Sequence, residues 1–138
     1  MDVLFLDANV LFSAAYREDA GLRRLWALTD VKLVSSAYAV EEARRNLDAR
    51  DKALDKLLEA VVIATSIPPA TEQGWEIIAL PDKDLPILQA AVWQGATHLL
   101  TGDMRHFGRY FGQRLLGVLI LPPSAYWRLR STNLAPAP

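Results

Sequence analysis

The sequence predicts an α/β domain, with a central, mostly parallel sheet of about five strands between two layers of helices. Three observations carry that reading. Short apolar runs recur along the chain, at Val3–Leu6, His98–Thr101 and Val118–Leu121 among others. Segments with apolar residues at three- and four-residue spacing lie between them, as in Leu54, Leu57, Leu58 and Val61. Glycine and proline punctuate the joins, as at Gly95 and Pro122-Pro123. Strands that alternate with helices pair in parallel and are covered on both faces.

In chain order, Val3–Leu6 is wholly apolar, the pattern of a strand buried on both faces. Val10–Ala15 is read as helix, and so is Ala20–Leu28, with Leu22, Leu25 and Trp26 on one side. Val31–Val34 is strand two. Ser35 or Ser36 then caps a helix carrying Tyr38, Val40 and Leu47. Asp51 opens a further helix with the stripe from Leu54 to Val61, and Val62–Ser66 is strand three, stopped by Pro68-Pro69. Thr71–Leu80, with Trp75 and Ile78, is expected to be a short helix, followed by a loop from Pro81 to Asp84. Leu85–Trp93 is a helix with Pro86 in its first turn and Gly95 as its stop. His98–Thr101 is strand four, Val118–Leu121 strand five, and Tyr126–Arg130 a last short helix. Residues 1–130 form one domain in this reading, and 131–138 a loose tail rich in alanine and proline.

The chain has 138 residues, 51% hydrophobic and 22% charged, enough for one globular domain with a real core. The absence of cysteine excludes disulfides, thiolate metal sites and cysteine nucleophiles, and fits a cytoplasmic setting. Met1-Asp2 leads straight into a strand, so no signal peptide is expected, and no apolar run approaches the roughly 20 residues of a membrane helix. With a net charge of −1, any nucleic-acid binding must use a local patch.

Four acids stand at the ends of these elements. Asp7 closes the first strand, Glu42 lies just inside the helix after the second, Asp84 opens a helix, and Asp103 follows the fourth strand. The carboxyl ends of parallel strands and the helix starts that follow them share one rim, where ligands bind. Carboxylates gathered there repel one another unless a cation holds them, and a hard divalent ion with oxygen ligands is the natural occupant.

The spacing resembles a known family. Leu6-Asp7-Ala8-Asn9-Val10-Leu11 is similar to the opening of a PIN domain, and Ser36-Ala37-Tyr38-Ala39-Val40-Glu41-Glu42 to the helix that brings in its glutamate. Asp84-Leu85-Pro86-Ile87-Leu88-Gln89-Ala90-Ala91 resembles its third acidic position. Gly95-Ala96-Thr97-His98-Leu99-Leu100-Thr101-Gly102-Asp103 resembles its last strand and acid. The resemblance runs from Asp2 to about Leu129, nearly the whole chain. It implies a three-layer, Rossmann-like PIN fold and a magnesium- or manganese-dependent endoribonuclease of the VapC-like toxin type. RNA is then the substrate, cut by metal-activated water. A separate antitoxin protein and a second copy of the chain are the implied partners, and Asp7, Glu42, Asp84 and Asp103 are the implied metal-holding, catalytic residues.

Other residues are weighed beside these. Asp7 and Asp84 are also good helix caps, and Asp103 a good turn residue. Glu41 competes with Glu42, because one helical step swings a side chain to another face. Asn9, Thr101 and Asp82 are candidates to orient a carboxylate or a metal water. Arg105, Arg109 and Arg114, with His106, follow Asp103 and are candidates to meet RNA phosphates, as are Arg44 and Arg45. His98 is read as a strand residue without chemistry, and Trp26, Trp75, Trp93 and Trp127 as core or interface. No further acid follows soon after Asp103, which puts a second ion in question. Two rivals remain. A haloacid-dehalogenase-type phosphatase requires a second aspartate two positions after the first, where this chain has Asn9. A binding scaffold without catalysis would be expected to lose acids that this chain keeps.

Overall fold

The apolar runs pair into one sheet. A computed structural model describes residues 1–17, 21–47 and 51–134, with side chains through residue 131. Its strands are β1 (Asp2–Leu6), β2 (Val31–Ser36), β3 (Val61–Ala64), β4 (His98–Leu100), β5 (Arg114–Leu115) and β6 (Val118–Leu121). Their order across the sheet is β3-β2-β1-β4-β6-β5, parallel throughout except for β5 against β6. β1 is central, and Leu4, Phe5 and Leu6 are fully buried, which is why that run is apolar without alternation.

The helices are α1 (Ala8–Tyr16), α2 (Ala37–Arg45), α3 (Asp51–Leu58), α4 (Leu85–Trp93), α5 (Met104–Phe107) and α6 (Pro123–Leu134). α1 packs against α2 and α3, while α4 lies against β2. The chain steps outward from β1 to β3 and then returns past β1 to β4. Right-handed crossovers in opposite directions place their helices on opposite faces, giving three layers. The order therefore reverses between β1 and β4, and a crevice opens there at the carboxyl ends of the strands.

Several expected elements differ in detail. The sixth strand, β5, is two residues long and closes on β6 through Leu116-Gly117, with φ of 51° and 87°. Both central residues have positive φ, as a tight hairpin requires, but Leu-Gly is not the usual sequence signal for one. The helix expected at Ala20–Leu28 is a 3-10 segment, Gly21–Ala27, and Ala20 lies outside the described residues. Trp26 still docks as expected, its Nε1 donating to the Leu57 carbonyl at 2.9 Å. The helix expected at Thr71–Leu80 shrinks to a 3-10 turn, Trp75–Ile77. Gly74, at φ 106°, breaks the helix before it, and the Ala79 N–H turns instead to the Tyr110 hydroxyl at 2.7 Å. Val61 belongs to β3 and not to the preceding helix, which ends at Leu58.

At the other end, α6 is longer than Tyr126–Arg130. Pro123 sits at its start, where its fixed φ suits a first helical turn, and the helix continues through 131–134 into the expected tail. Residues 135–138 lie outside the described residues. α5 and the 3-10 turn Gly108–Tyr110 were not foreseen. Of the tryptophans, Trp93 stands 58% exposed, outside the core.

Leu99 is fully buried on β4, whereas Ile77 is 81% exposed. Leu99→Ala is expected to destabilise the protein by about 2–5 kcal/mol through lost burial and a cavity. Ile77→Ala should stay within about 0.5 kcal/mol of wild type. Urea denaturation of the two variants checks both.

Candidate metal centre

Asp7 ends β1 and caps α1. Its backbone is extended, with φ −68° and ψ 163°, and its Oδ1 accepts from Ala8 N at 2.7 Å. Capping therefore uses one oxygen and leaves the other for the crevice. Asp7 Oδ2 accepts from Thr101 Oγ1 at 2.8 Å and from Asn9 Nδ2 at 3.3 Å. Thr101 Oγ1 in turn accepts from Asp103 N at 3.1 Å, and Asn9 Oδ1 accepts from Gly102 N at 2.8 Å. A Cβ on Gly102 would meet Asn9 Oδ1 at 3.4 Å, so glycine suits this close approach. Asn9 and Thr101 thus both hydrogen-bond the Asp7 carboxylate, Asn9 also holding the Gly102 backbone, and they tie the end of β1 to the end of β4.

This carboxyl is only 4% exposed. Burial pushes its pKa up to about 6. The Thr101 and Ala8 hydrogen bonds hold it back, and the nearby Asp84 and Glu42 charges add to the rise.

Ser36 caps α2 through its Oγ, accepting from Ala39 N at 3.2 Å, while Ser35 Oγ donates to the Leu6 carbonyl at 2.8 Å. That start turns Glu42 into the crevice and Glu41 outward, where Glu41 pairs with Arg45 at 3.4 Å. Arg44 is held by Asp51 at 2.9 Å and Asp55 at 2.5 Å, so neither arginine is aimed at the site.

Asp84 starts α4 with its backbone, its carbonyl accepting from Ile87 N at 3.1 Å, but its side chain makes no capping bond. The carboxylate is free to face the crevice. Burial raises its pKa, the His106 ring pulls it down, and Asp103 pushes it up again. Asp103 caps α5, its Oδ1 accepting from His106 N at 3.1 Å.

Asp7, Glu42, Asp84 and Asp103 line one hollow of about 460 Å³, with Asn9 and Lys83 on its wall. Lys83 takes the place expected of Asp82, which is exposed and off the lining. His106 is one residue whose position differs from the sequence reading. Grouped there with phosphate-facing arginines, its ring points into the acids, with Nδ1 3.0 Å from Asp84 Oδ2 and 3.0 Å from Asp103 Oδ2. The available signal was a histidine three residues after a helix-capping acid, which shares its face. Hydrogen-bond geometry is met only toward Asp103, and Asp84 Oδ2 is a buried oxygen without a hydrogen-bond partner. One ligand atom each from Asp84, Asp103 and His106 lie within 4.8 Å of one another. A buried orphan oxygen among such donors fits a divalent cation.

Arg105 and Arg109 are exposed and line an adjoining hollow of about 380 Å³ with Leu80, Pro81 and His106. Arg114 does not join them. It sits on β5 opposite Leu119, level with His98 at the amino end of β4, and lines a separate hollow of about 550 Å³ that contains no carboxylate. His98 packs edge-on to Tyr126, and burial lowers its pKa.

No family model and no curated protein sequence matches the chain. Among solved structures it is similar to the crystal structure of VapBC2 from Rickettsia felis bound to a DNA fragment from their promoter. The TM-score is 0.64 at 15% identity, over 87% of this chain and 98% of that one. At that identity the likeness carries the fold, and the fold is the three-layer, PIN-like one that the motifs implied.

The Asp7 shift gives a signed pH dependence. Its folded pKa of about 6 lies above its ordinary 3.8, so between these values the folded state binds more protons than the unfolded state. Stability falls as pH rises through that window, and above it the ionised carboxylate costs on the order of 3 kcal/mol. Asp7→Asn removes that cost. In chelator, the stability of Asp7→Asn relative to wild type should therefore rise between pH 4.5 and pH 7.5, measured by urea denaturation at both. A difference that does not change with pH would contradict the assignment.

Proposed function

We propose that the protein is a metal-dependent endoribonuclease that hydrolyses RNA phosphodiester bonds with Mg2+ or Mn2+, and that it is the toxin of a toxin–antitoxin pair. The observation that carries this reading is the meeting of four carboxylates, from four separate elements, in one open hollow. So much like charge at a desolvated rim is unfavourable alone and favourable around a cation. Asp7, Glu42, Asp84 and Asp103 would hold the ion. When bound, it supplies positive charge at the scissile phosphate and a water acidic enough to attack near neutral pH.

The chain's own groups do the rest. Thr101 and Asn9 fix the Asp7 carboxylate, so its geometry is set before substrate arrives. Arg105 and Arg109 beside the acids can meet flanking phosphates, with Lys83 on the wall as a further cation. A polynucleotide needs an open site, and His106, which lines the second hollow, reaches Asp84 and Asp103 on the wall of the first. The Asn9 side chain is occupied by Asp7, Thr101 and Gly102, which argues against the general-acid role of a phosphatase.

The toxin assignment and the antitoxin partner rest on the motif resemblance, supported by the fold shared with the VapBC2 structure. A second copy of the chain remains a proposed partner. Residues 1–130 are taken as one catalytic domain. A cytoplasmic setting is in keeping with the lack of cysteine. Among the described residues, no helix is long and apolar enough to cross a membrane.

The test is cleavage of a mixed single-stranded RNA pool with manganese, with and without chelator. Wild type should cut only with metal. Asp7→Asn and Asp103→Asn should each lose about a hundredfold or more in rate, since small errors in ligand placement are poorly tolerated. Arg109→Ala should weaken RNA binding and reduce the salt slope by about 1, with turnover at saturating RNA kept. Equal cutting in chelator, or full activity in both Asn variants, would refute the reading. No cleavage by wild type would favour a binding scaffold.

A further inference from the structure

We infer that His106 is itself a ligand of the cation, making the site a mixed carboxylate–imidazole centre that selects manganese over magnesium. This rests on the proposed metal site and adds to it a ligand and a preference.

The ring's position is imposed by its own helix. Asp103 caps α5 by accepting the His106 N–H, and the three-residue step brings the imidazole back over the capping carboxylate. Its Nδ1 is then equidistant from two carboxylate oxygens of different elements, 3.0 Å from each. A ring nitrogen carries at most one hydrogen, so hydrogen bonding satisfies one of the two. The other, Asp84 Oδ2, stays buried and without a hydrogen-bond partner on a residue only 9% exposed.

A cation answers all three atoms at once, since both oxygens and the nitrogen lone pair can point at it. The spacing agrees: neighbouring ligands at right angles on an ion with bonds of about 2.1 Å lie about 3.0 Å apart. The nitrogen then sets the preference. Magnesium takes oxygen ligands and keeps its waters, whereas manganese, although the weakest-binding first-row divalent ion and itself suited to oxygen, is a d-block ion that accepts one imidazole nitrogen beside its oxygens more readily than magnesium does. A site of carboxylates alone would bind both by charge, and replacing one oxygen by a nitrogen penalises magnesium selectively.

The experiment is pulsed electron paramagnetic resonance on the manganese-loaded protein, with calorimetric titration of manganese and of magnesium at one pH. The sequence has two histidines, and His98 lies at the far end of β4, so the signal can be assigned. Echo modulation from a directly bound imidazole nitrogen is expected in wild type and in His98→Gln, and should vanish in His106→Gln. That variant should lose about tenfold or more in manganese affinity, as changes close to a metal do, and keep its magnesium affinity. Manganese bound by wild type without nitrogen modulation would overturn the inference and leave the proposed nuclease standing, as would equal loss of both ions in His106→Gln. Failure of wild type to bind manganese would remove both.

Discussion

Asp7 is a carboxylate held almost out of water at the end of the central strand. Burial of an ionisable group is unfavourable unless hydrogen bonds or opposite charge compensate. Here three donors, from Ala8, Asn9 and Thr101, converge on it. They compensate only in part, since its pKa remains raised. The bonds that position Asp7 also join β1 to the turn after β4, so the support of the carboxylate and the closure of the crevice are one arrangement. An internal hydrogen-bond network that leaves residual charge uncompensated points outward, to a ligand that supplies the missing charge.

The sheet order makes this possible. Because the chain reverses between β1 and β4, Asp7 and Asp103 flank the crevice, while α2 and α4 add Glu42 and Asp84 from helices that begin at the same rim. A formal charge of −1 over the whole chain hides this local polarity. The acids gather in one hollow, and Arg105 and Arg109 line the next. Under the proposed function, a polyanionic chain would be attracted by the second and would approach the first once a bound cation offset part of the negative charge of the acid cluster.

Much of this was legible in the sequence, for identifiable reasons. Both-face burial makes a central parallel strand apolar, so β1, β4 and β6 stood out. Gly95, at φ 67°, and Pro86 bounded α4 because their backbone restrictions are local. Helical geometry says that Glu41 and Glu42 point apart, and the resemblance to the PIN-domain helix is what picks Glu42. What escaped the reading depends on tertiary context. β5 is too short to carry a pattern, and its turn uses a leucine at positive φ that packing must enforce. The segment before α4 takes its backbone partner from Tyr110, some thirty residues on. Arg114 looked like its neighbours in sequence but is carried to the opposite end of the sheet by the hairpin. His106 was read as one of a run of cations, and only α5, a single turn made by the Asp103 cap, turns its ring inward.

Everything proposed for these carboxylates depends on their forming a binding site for a divalent cation. Anomalous diffraction from a crystal of the wild-type protein grown with manganese tests it most directly. An anomalous peak is expected inside the hollow, within about 2.5 Å of a carboxylate oxygen from both Asp84 and Asp103. A hollow with no anomalous density at saturating manganese, or a peak found only elsewhere on the molecule, would contradict it.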